Sequence, residues 1–275
     1  MVNKISIKEI YFPIKSQLEI MEKTLESTVK SLNKTKINNV FLHSFKIRGK
    51  RLRPALLLLC ANAVSENSSE EIKDKLNQMA LALELIHTAS LIHDDIIDND
   101  ILRRGQKTLN STFGNKAAVL AGDVLHAHSF LMIVELFSSE YHFRTIEMIK
   151  KMCLAEIKQL SFLKTKPSKK DYLEIKKGKT ALFMSNCCRF GATISGASDL
   201  EIASFESYGL NFGMAFQIID DYLDKDSIMK KNVGLKEAKE YINRAKDSLC
   251  TIKESVYKQK LEDLLKYIIN TVKDV

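Results

Sequence analysis

The chain has 275 residues, 45% of them hydrophobic, so it can bury a sizeable core and is not expected to be globally disordered. Its 10 glycines and 3 prolines are too few for the many turns of a sheet-rich fold, which favours long helices. The net charge of +8 would suit anionic partners, but no basic stripe is interleaved with aromatic residues, so nucleic acid is not an expected partner.

Helical periodicity extends through most of the chain. The predicted helices, in chain order, cover residues 7–32, a segment from Pro54, residues 69–98, 116–136 and 143–163, a segment from Lys169, and residues 205–224 and 235–275. The section from Met79 to Ile97 is almost continuously apolar and must be buried on most sides. No repeat or linker divides the chain, so we predict a single all-α domain over residues 1–275.

The compartment is predicted from the cysteines and the apolar segments. The 5 cysteines lack metal-ligand spacing, and their odd number argues against a disulfide framework, so we expect buried thiols in a reducing environment. The N-terminus has no apolar signal core, and the longest apolar run, Ala55 to Val64, is too short to span a bilayer. These features predict a cytoplasmic protein without a transmembrane segment.

Two acidic runs, Asp94-Asp95-Ile96-Ile97-Asp98 and Asp220-Asp221-Tyr222-Leu223-Asp224, lie within apolar stretches. Positions i, i+4 and i+7 share a helix face, which groups His87 with the first run and Gln217 with the second. The middle aspartates, Asp95 and Asp221, turn away from those faces. A solvated helix surface is the simplest interpretation of an acidic pair, but carboxylates at the edge of a core repel one another unless cations neutralise them. If the fold brings the two runs together, they predict a magnesium site that holds diphosphates.

Two basic segments accompany the acidic runs. Arg103-Arg104-Gly105 follows the first run directly, and its arginines could form ion pairs with that run or clamp phosphate oxygens. The segment from Gly49 to Pro54 carries three cations at the predicted start of a helix, where backbone amides also favour anions. Alone, such a short basic cluster is a weak signal.

Together these motifs resemble the trans-isoprenyl diphosphate synthases, a family of prenyltransferases, over about residues 35 to 225. The matching segments are Gly49 to Pro54, His87 to Asp98, Arg103-Arg104-Gly105, Lys179-Thr180-Ala181 and Phe216 to Asp224. The resemblance implies an all-α fold of long helices around a deep central cavity, usually as a homodimer. It also implies ionisation of an allylic diphosphate, attack by the double bond of isopentenyl diphosphate, and loss of one proton.

The resemblance assigns roles to individual positions. The carboxylates implied to hold magnesium on the allylic diphosphate are Asp94, Asp98, Asp220 and, in support, Asp224. Arg103 would contact the allylic diphosphate. The side chains implied to hold isopentenyl diphosphate are Lys50, Arg53, His87 and Arg104. The side chains implied to lie near the reacting allylic carbon are Lys179, Thr180 and Gln217.

Product length is predicted from the residues before the first acidic run. Farnesyl-type members of the family carry a bulky aromatic residue at the fifth position before the first aspartate, whereas here that position is Ala89, followed by Ser90. The first run lacks the two-residue insertion of many bacterial short-chain enzymes, and Glu156 to Leu160 resembles long-chain members. We therefore predict a product longer than farnesyl, of the heptaprenyl or octaprenyl type. Close helix packing is the other explanation for Ala89.

Three alternatives and one departure from the pattern stay open. A class I terpene cyclase would need neither the second acidic run nor the residues assigned to isopentenyl diphosphate. A non-catalytic subunit of a heteromeric synthase would usually lose aspartates from the two runs. A short-chain synthase would stop at a farnesyl or geranylgeranyl product. After Asp224 the family continues with a Gly-Lys-rich loop and a further helix that have no counterpart here. Either a segment near residues 226–233 is missing from this sequence, or a true deletion has removed a lysine that helps bind the allylic diphosphate.

Overall fold

A computed structural model of the protein describes residues 5–32, 39–46, 49–162, 165–223 and 234–273. The described chain is helical apart from one short hairpin, which confirms the predicted all-α class. The helices are α1 Ile7–Tyr11, α2 Lys15–Leu32, α3 Val40–Phe45, α4 Leu52–Val64, α5 Glu70–Ile97, α6 Leu109–Phe113, α7 Asn115–Leu136, α8 Ser139–Leu160, α9 Lys169–Lys176, α10 Leu182–Ile194, α11 Asp199–Leu223, α12 Leu235–Ser248 and α13 Val256–Lys273. The hairpin pairs β1 Leu102–Arg103 with β2 Gln106–Lys107 in antiparallel register.

Local sequence explains where several helices begin and end. Ser6 and Glu9 form a reciprocal capping box that starts α1. Pro13 lies in a 3-10 turn, Phe12–Ile14, which divides the single helix predicted over residues 7–32. Pro54 lies in the first turn of α4, where its missing N–H group has no helical partner to lose.

The chain divides into two compact units. The first unit contains Met1–Lys15, Leu56–Leu76 and Phe143–Val275. There α10 and α12 pack against α11, and α13 contacts α1, α11 and α12. The largest buried side chains of this unit are Phe183, Phe190, Phe205, Tyr208 and Phe212. The prediction of a single domain over residues 1–275 stays a prediction.

The second unit contains Ser16–Ala55 and Asn77–His142. Its centre is the middle of α5, where the apolar side chains from Met79 to Ile86 are at most 1% exposed, as the continuous apolar pattern predicted. Glu84 is the charged residue within that buried section. In the same unit, α3 packs against α6 and α7. Helix α5 therefore holds Glu84 in the core and leads from there to the first acidic run at its C-terminal end.

Helix α7 combines an apolar composition with an exposed surface. By length and composition it could cross a membrane, and 33% of its most apolar window is buried. One such helix is weak evidence for a membrane span, because core helices of other proteins pass the same test. The exposed side chains Leu120, Val124, Leu131 and Val134 follow one stripe along the helix.

One part of the structure was not predicted, and one part of the prediction lies outside the described residues. A π-helical turn, Lys177–Ala181, connects α9 to α10, and neither the turn nor the extent of α10 was predicted. The predictions for Asp224 and for residues 226–233 lie outside the described residues.

Candidate active site

A cluster of cations surrounds His87 in the second unit. Nη1 of Arg53 lies 2.9 Å from Nε2 of His87. Because a guanidinium can only donate, Nε2 accepts this hydrogen bond and the imidazole is neutral. Burial lowers the pKa of His87 well below its ordinary value, and the charges of nearby arginines lower it further; in order of effect these are Arg53, Arg104, Arg103 and Arg51.

Arg104 joins this cluster through the turn of the hairpin. Its backbone is left-handed, with φ of 51°, and Gly105 follows with φ of 78°. A Cβ placed on Gly49 would lie only 2.9 Å from Nη1 of Arg104, so the guanidinium rests against the backbone directly before Lys50. Arg53, His87 and Arg104, three of the four residues predicted for isopentenyl diphosphate, therefore lie together. The fourth, Lys50, directly follows Gly49 in the chain.

The first acidic run occupies the end of α5. The amide of Asp98 donates to the carbonyl of Asp94 over 2.8 Å, so the two aspartates stay one helical turn apart. Asp98 is exposed and Asp94 is half-buried, whereas Asp95 is 5% exposed. The middle aspartate therefore points away from its two neighbours, as the helical phase predicted.

Asp95 binds Arg103, one of the two arginines that follow the run. Its Oδ1 accepts a hydrogen bond of 2.5 Å from Nε of Arg103, and Asp100 lies 3.9 Å from Nη2 of the same arginine. Burial raises the pKa of Asp95, and the Arg103 charge opposes that shift. Of the two interpretations left open by the sequence, the ion pair describes Arg103, while Arg104 lies with the cations. The contact of Arg103 with an allylic diphosphate stays a prediction.

In the first unit, Asp221 of the second run is the centre of a hydrogen-bond network. Its Oδ2 accepts from the hydroxyl of Tyr172 and from Nζ of Lys176, each over 2.8 Å. Its Oδ1 accepts from Nε2 of Gln217 over 2.8 Å, and Oε1 of Gln217 accepts from the hydroxyl of Thr180 over 2.8 Å. Thr180 and Gln217 are therefore hydrogen-bonded to each other; both are among the three residues predicted near the reacting carbon.

Lys179, the third of those residues, lies on the π-helical turn with Thr180. Its ammonium forms an ion pair with Glu156 and a hydrogen bond of 3.3 Å to Oε1 of Gln159. A Cβ on the neighbouring Gly178 would lie 2.6 Å from that of Ala155, so only glycine permits this approach of the turn to α8. Single π-helical turns occur frequently at functional sites. Here the turn fixes the direction of the Lys179 and Thr180 side chains.

The carboxylates of the acidic runs suit magnesium by their chemistry. Within residues 5–32, 39–46, 49–162, 165–223 and 234–273, no three side chains of His, Cys, Asp or Glu are placed to enclose a metal by themselves. Mg²⁺ commonly binds through one or two carboxylates and completes its shell with water and substrate phosphates. Asp94 with Asp98 in the second unit, and the exposed Asp220 in the first, offer the hard oxygen donors that such binding needs.

The residues predicted to set product length lie on α5 beside a histidine that the sequence did not reveal. Ala89 is fully buried, and the hydroxyl of Ser90 donates to the carbonyl of His87 over 2.8 Å. His126 of α7 lies near the backbone of Ile86, and its ring centroid lies 5.7 Å from that of His93. Ile86, Ala89 and His93 share one helix face, so His126 lies along the face of Ala89. Two histidines, His126 and His128, lie in this apolar helix, and their spacing carries no signal that could have indicated this.

Comparison with known proteins identifies the family. The sequence profile described as polyprenyl synthetase matches residues 34–274. The chain belongs to the polyprenyl synthetase family. Among its relatives, a prenyl transferase of Cyanidium caldarium is 37% identical over 212 residues, which are 77% of this chain and 65% of the relative. The heptaprenyl diphosphate synthase component 2 of Bacillus subtilis is 34% identical over 224 residues, 81% of this chain and 63% of the relative. The chain thus matches less than two thirds of the length of both relatives.

Solved structures agree with the polyprenyl synthetase assignment. A decaprenyl diphosphate synthase from Rhodobacter capsulatus superposes with a TM-score of 0.83 at 24% identity, covering 97% of this chain and 99% of the other, and supports the fold alone. A geranylgeranyl pyrophosphate synthetase from Geoglobus acetivorans superposes with a TM-score of 0.79 at 26% identity, covering 93% and 99%. These matches confirm the isoprenoid-synthase type of all-α fold.

Proposed function

We propose that this polyprenyl synthetase family member is a magnesium-dependent prenyltransferase that condenses isopentenyl diphosphate with an allylic diphosphate to form a trans-polyprenyl diphosphate. One observation carries the proposal. His87, around which the cations gather, and Asp94 lie on the same helix, α5, two helical turns or roughly 10 Å apart, and Asp98 follows directly after its last residue. A reaction between two diphosphates needs both an anion site and a carboxylate site of this kind.

The cation cluster has the properties of an anion site before any ligand arrives. The arginines that depress the pKa of His87 create a positive potential, which favours binding of a diphosphate. A guanidinium group such as that of Arg53 or Arg104 can bind two phosphate oxygens at once, and the ammonium of Lys50 adds a compact positive charge. We assign isopentenyl diphosphate to Lys50, Arg53, His87 and Arg104.

The allylic diphosphate is assigned to the acidic runs. Magnesium, when bound, would screen and orient the departing diphosphate. The residues proposed to hold it are Asp94, Asp98, Asp220 and Asp224. Arg103 would add a cation whose stem is anchored by Asp95. Lys179, Thr180 and Gln217 would lie near the reacting carbon, where the network around Asp221 fixes the Gln217 and Thr180 side chains.

A product longer than farnesyl is supported by Ala89. Its methyl group is fully buried on α5, and no aromatic ring stands at this position to limit the growing chain. The relatives of the chain include both a solanesyl-diphosphate synthase of Oryza sativa and a short chain isoprenyl diphosphate synthase of Methanothermobacter thermautotrophicus. The products must therefore be sized directly.

A cytoplasmic homodimer is the form of the protein that we propose. The stripe on α7, formed by Leu120, Val124, Leu131 and Val134, exposes apolar area of the kind that a second copy of the chain would cover. A symmetric pair would bury the same stripe twice, because a two-fold interface uses one patch on both subunits.

The function is tested by incubating the purified protein with Mg²⁺, farnesyl diphosphate and labelled isopentenyl diphosphate, then sizing the extracted products. We expect incorporation into chains longer than the primer. The Asp94→Asn/Asp98→Asn variant should lose incorporation, whereas Asp74→Asn, at an exposed position near the start of α5, should retain it. Absence of incorporation by the unaltered protein would refute the enzyme assignment. Products that stop at farnesyl when shorter primers are supplied would refute the long-chain assignment.

A further inference from the structure

Arg51 occupies an unusual place at the start of α4. Its carbonyl accepts the N–H of Ala55 over 3.0 Å, which makes Arg51 the N-cap of the helix. N-caps are usually Ser, Thr, Asp or Asn, and a cation is opposed there by the positive end of the helix dipole. The backbone of Arg51 is also left-handed, with φ of 52°, which is unfavourable for a residue with a Cβ. Interactions of the side chain must offset these costs.

Two buried carboxylates supply those interactions. Nε of Arg51 lies 2.5 Å from Oε1 of Glu22 on α2, and Nη2 lies 3.3 Å from Oε2 of the same residue. Nη1 lies 2.5 Å from Oε1 of Glu84 on α5. The three side chains are only 11%, 15% and 5% exposed, respectively. Burial raises the pKa of Glu84, and the charge of Arg51 acts against that rise.

Such a buried ion triad is poor evidence for stability, because desolvation of the charges offsets much of their attraction. What it fixes is geometry. The planar fork of the guanidinium accepts only a narrow range of carboxylate positions, so α2, the start of α4 and α5 are held in one arrangement.

That arrangement coincides with the cation cluster. Arg51 lies between Lys50 and Arg53 in the chain, and Glu84 lies one helical turn before His87. Two bridges therefore join the start of α4 to α5, one from Arg51 to Glu84 and one from Arg53 to His87. The left-handed turn at Arg51 also directs the backbone of Gly49 and Lys50 towards Arg104.

We propose that Arg51 is a positioning residue for the isopentenyl diphosphate site: through Glu22 and Glu84 it sets the places of Lys50, Arg53 and His87. Its own guanidinium is occupied by the two carboxylates and does not contact the diphosphate. This inference rests on the proposed function for the identity of the anion, while its geometry rests on the contacts above.

The first test is Arg51→Lys, which keeps the charge and loses the fork. Steady-state kinetics should show a KM for isopentenyl diphosphate raised on the order of tenfold, because small displacements of binding groups are costly. The KM for the allylic diphosphate should change less than about twofold, because its proposed groups do not depend on the triad. An equal rise in both KM values, or no rise in either, would overturn the inference.

A second variant separates positioning from folding. Glu22→Met/Arg51→Met/Glu84→Met replaces the whole buried ion triad by apolar side chains, a change that often leaves stability intact. We expect a melting temperature close to that of the unaltered protein and a raised KM for isopentenyl diphosphate. The matched control is Lys75→Met/Glu71→Met, which removes an exposed ion pair from α5 and should leave both KM values unchanged. A triple variant with normal KM values would show that Arg51 only neutralises Glu22 and Glu84.

Calorimetric titration with isopentenyl diphosphate alone makes the test independent of turnover. Binding weakened about tenfold in both Arg51 variants and unchanged in the control would support the inference. Equal binding by all proteins would refute it, whether or not the unaltered protein is active. Absence of turnover by the unaltered protein, together with weakened binding in the variants, would refute the proposed reaction and leave the positioning role standing.

Discussion

The Nε2 atom of His87 accepts a hydrogen bond of 2.9 Å from Nη1 of Arg53. This pairing of an imidazole with a guanidinium requires a neutral histidine, because a protonated ring would offer only donors. Burial lowers the pKa of His87, and the charges of the surrounding arginines lower it further; the same positive charges attract anions to the site.

The His87 pKa predicts how stability depends on pH. The ring binds its proton near pH 6.5 in the unfolded chain and well below that in the folded protein. Between those two values the unfolded state binds more protons, so stability falls as the pH is lowered below about 6.5. Urea unfolding at pH 7.5 and pH 5 should show a loss of up to about 2 kcal/mol from this group. His87→Asn should have a shallower slope; an identical slope would contradict the neutral, buried imidazole.

Asp221 should matter for folding more than an exposed aspartate does. Asp221→Ala removes the partner of Lys176, which is 8% exposed, and leaves Tyr172 and Gln217 without their acceptor. We expect a loss of about 3 kcal/mol in urea unfolding, because a buried cation would remain uncompensated. Asp247→Ala, at an exposed position on α12, should change stability by less than about 0.5 kcal/mol. Equal effects of the two variants would show that Lys176 finds another partner or water.

Product length should respond to Ala89. Ala89→Tyr places a ring on the face of α5 that His126 lies along, so it should shorten the product while turnover per folded molecule persists. Overpacking at this buried site should cost about 1–3 kcal/mol, so the products must be sized at a temperature where the variant is folded. Ala203→Tyr, at an exposed position on α11, is the matched control and should leave chain length unchanged. Unchanged length in Ala89→Tyr would place the limit of the product elsewhere.

The exposed stripe of α7 predicts the oligomeric state. Light scattering should give twice the chain mass of 31.3 kDa for the unaltered protein. Leu120→Glu/Leu131→Glu should give monomers, because charged side chains would have to be desolvated at the interface. Leu200→Glu on α11 is a matched control, since Leu200 and Leu120 are both 64% exposed. A dimer that survives the double substitution would exclude this stripe as the interface.

The sequence was informative wherever a short-range pattern determines the outcome. Apolar periodicity predicted α5 with an error of one residue at each end, and helical phase predicted that Asp95 turns away from Asp94 and Asp98. These are consequences of the 3.6-residue repeat, which depends only on neighbours along the chain.

Pairings between distant segments were not predictable in the same way. Glu22 and Glu84 are separated from Arg51 by 29 and 33 residues, and no spacing rule connects them. The carboxylate of Asp95 competes with any diphosphate for Arg103, and only packing decides which partner is nearer. The proximity of the His126 and His93 rings likewise depends on how α7 lies against α5, which a single sequence does not reveal.

The π-helical turn at Lys177–Ala181 sets the phase between α9 and α10. Each residue added to or removed from a helix rotates everything beyond it by roughly 100°. A π-helical turn, however, is closed by i→i+5 hydrogen bonds and holds one residue more than an α-helical turn. Loss of a single residue here would let the turn close as a regular α-helical turn and would keep the buried face of α10, with Phe183 and Phe190, in the core. The same deletion would redirect the Lys179 and Thr180 side chains, so the fold should tolerate a change of length that the site does not.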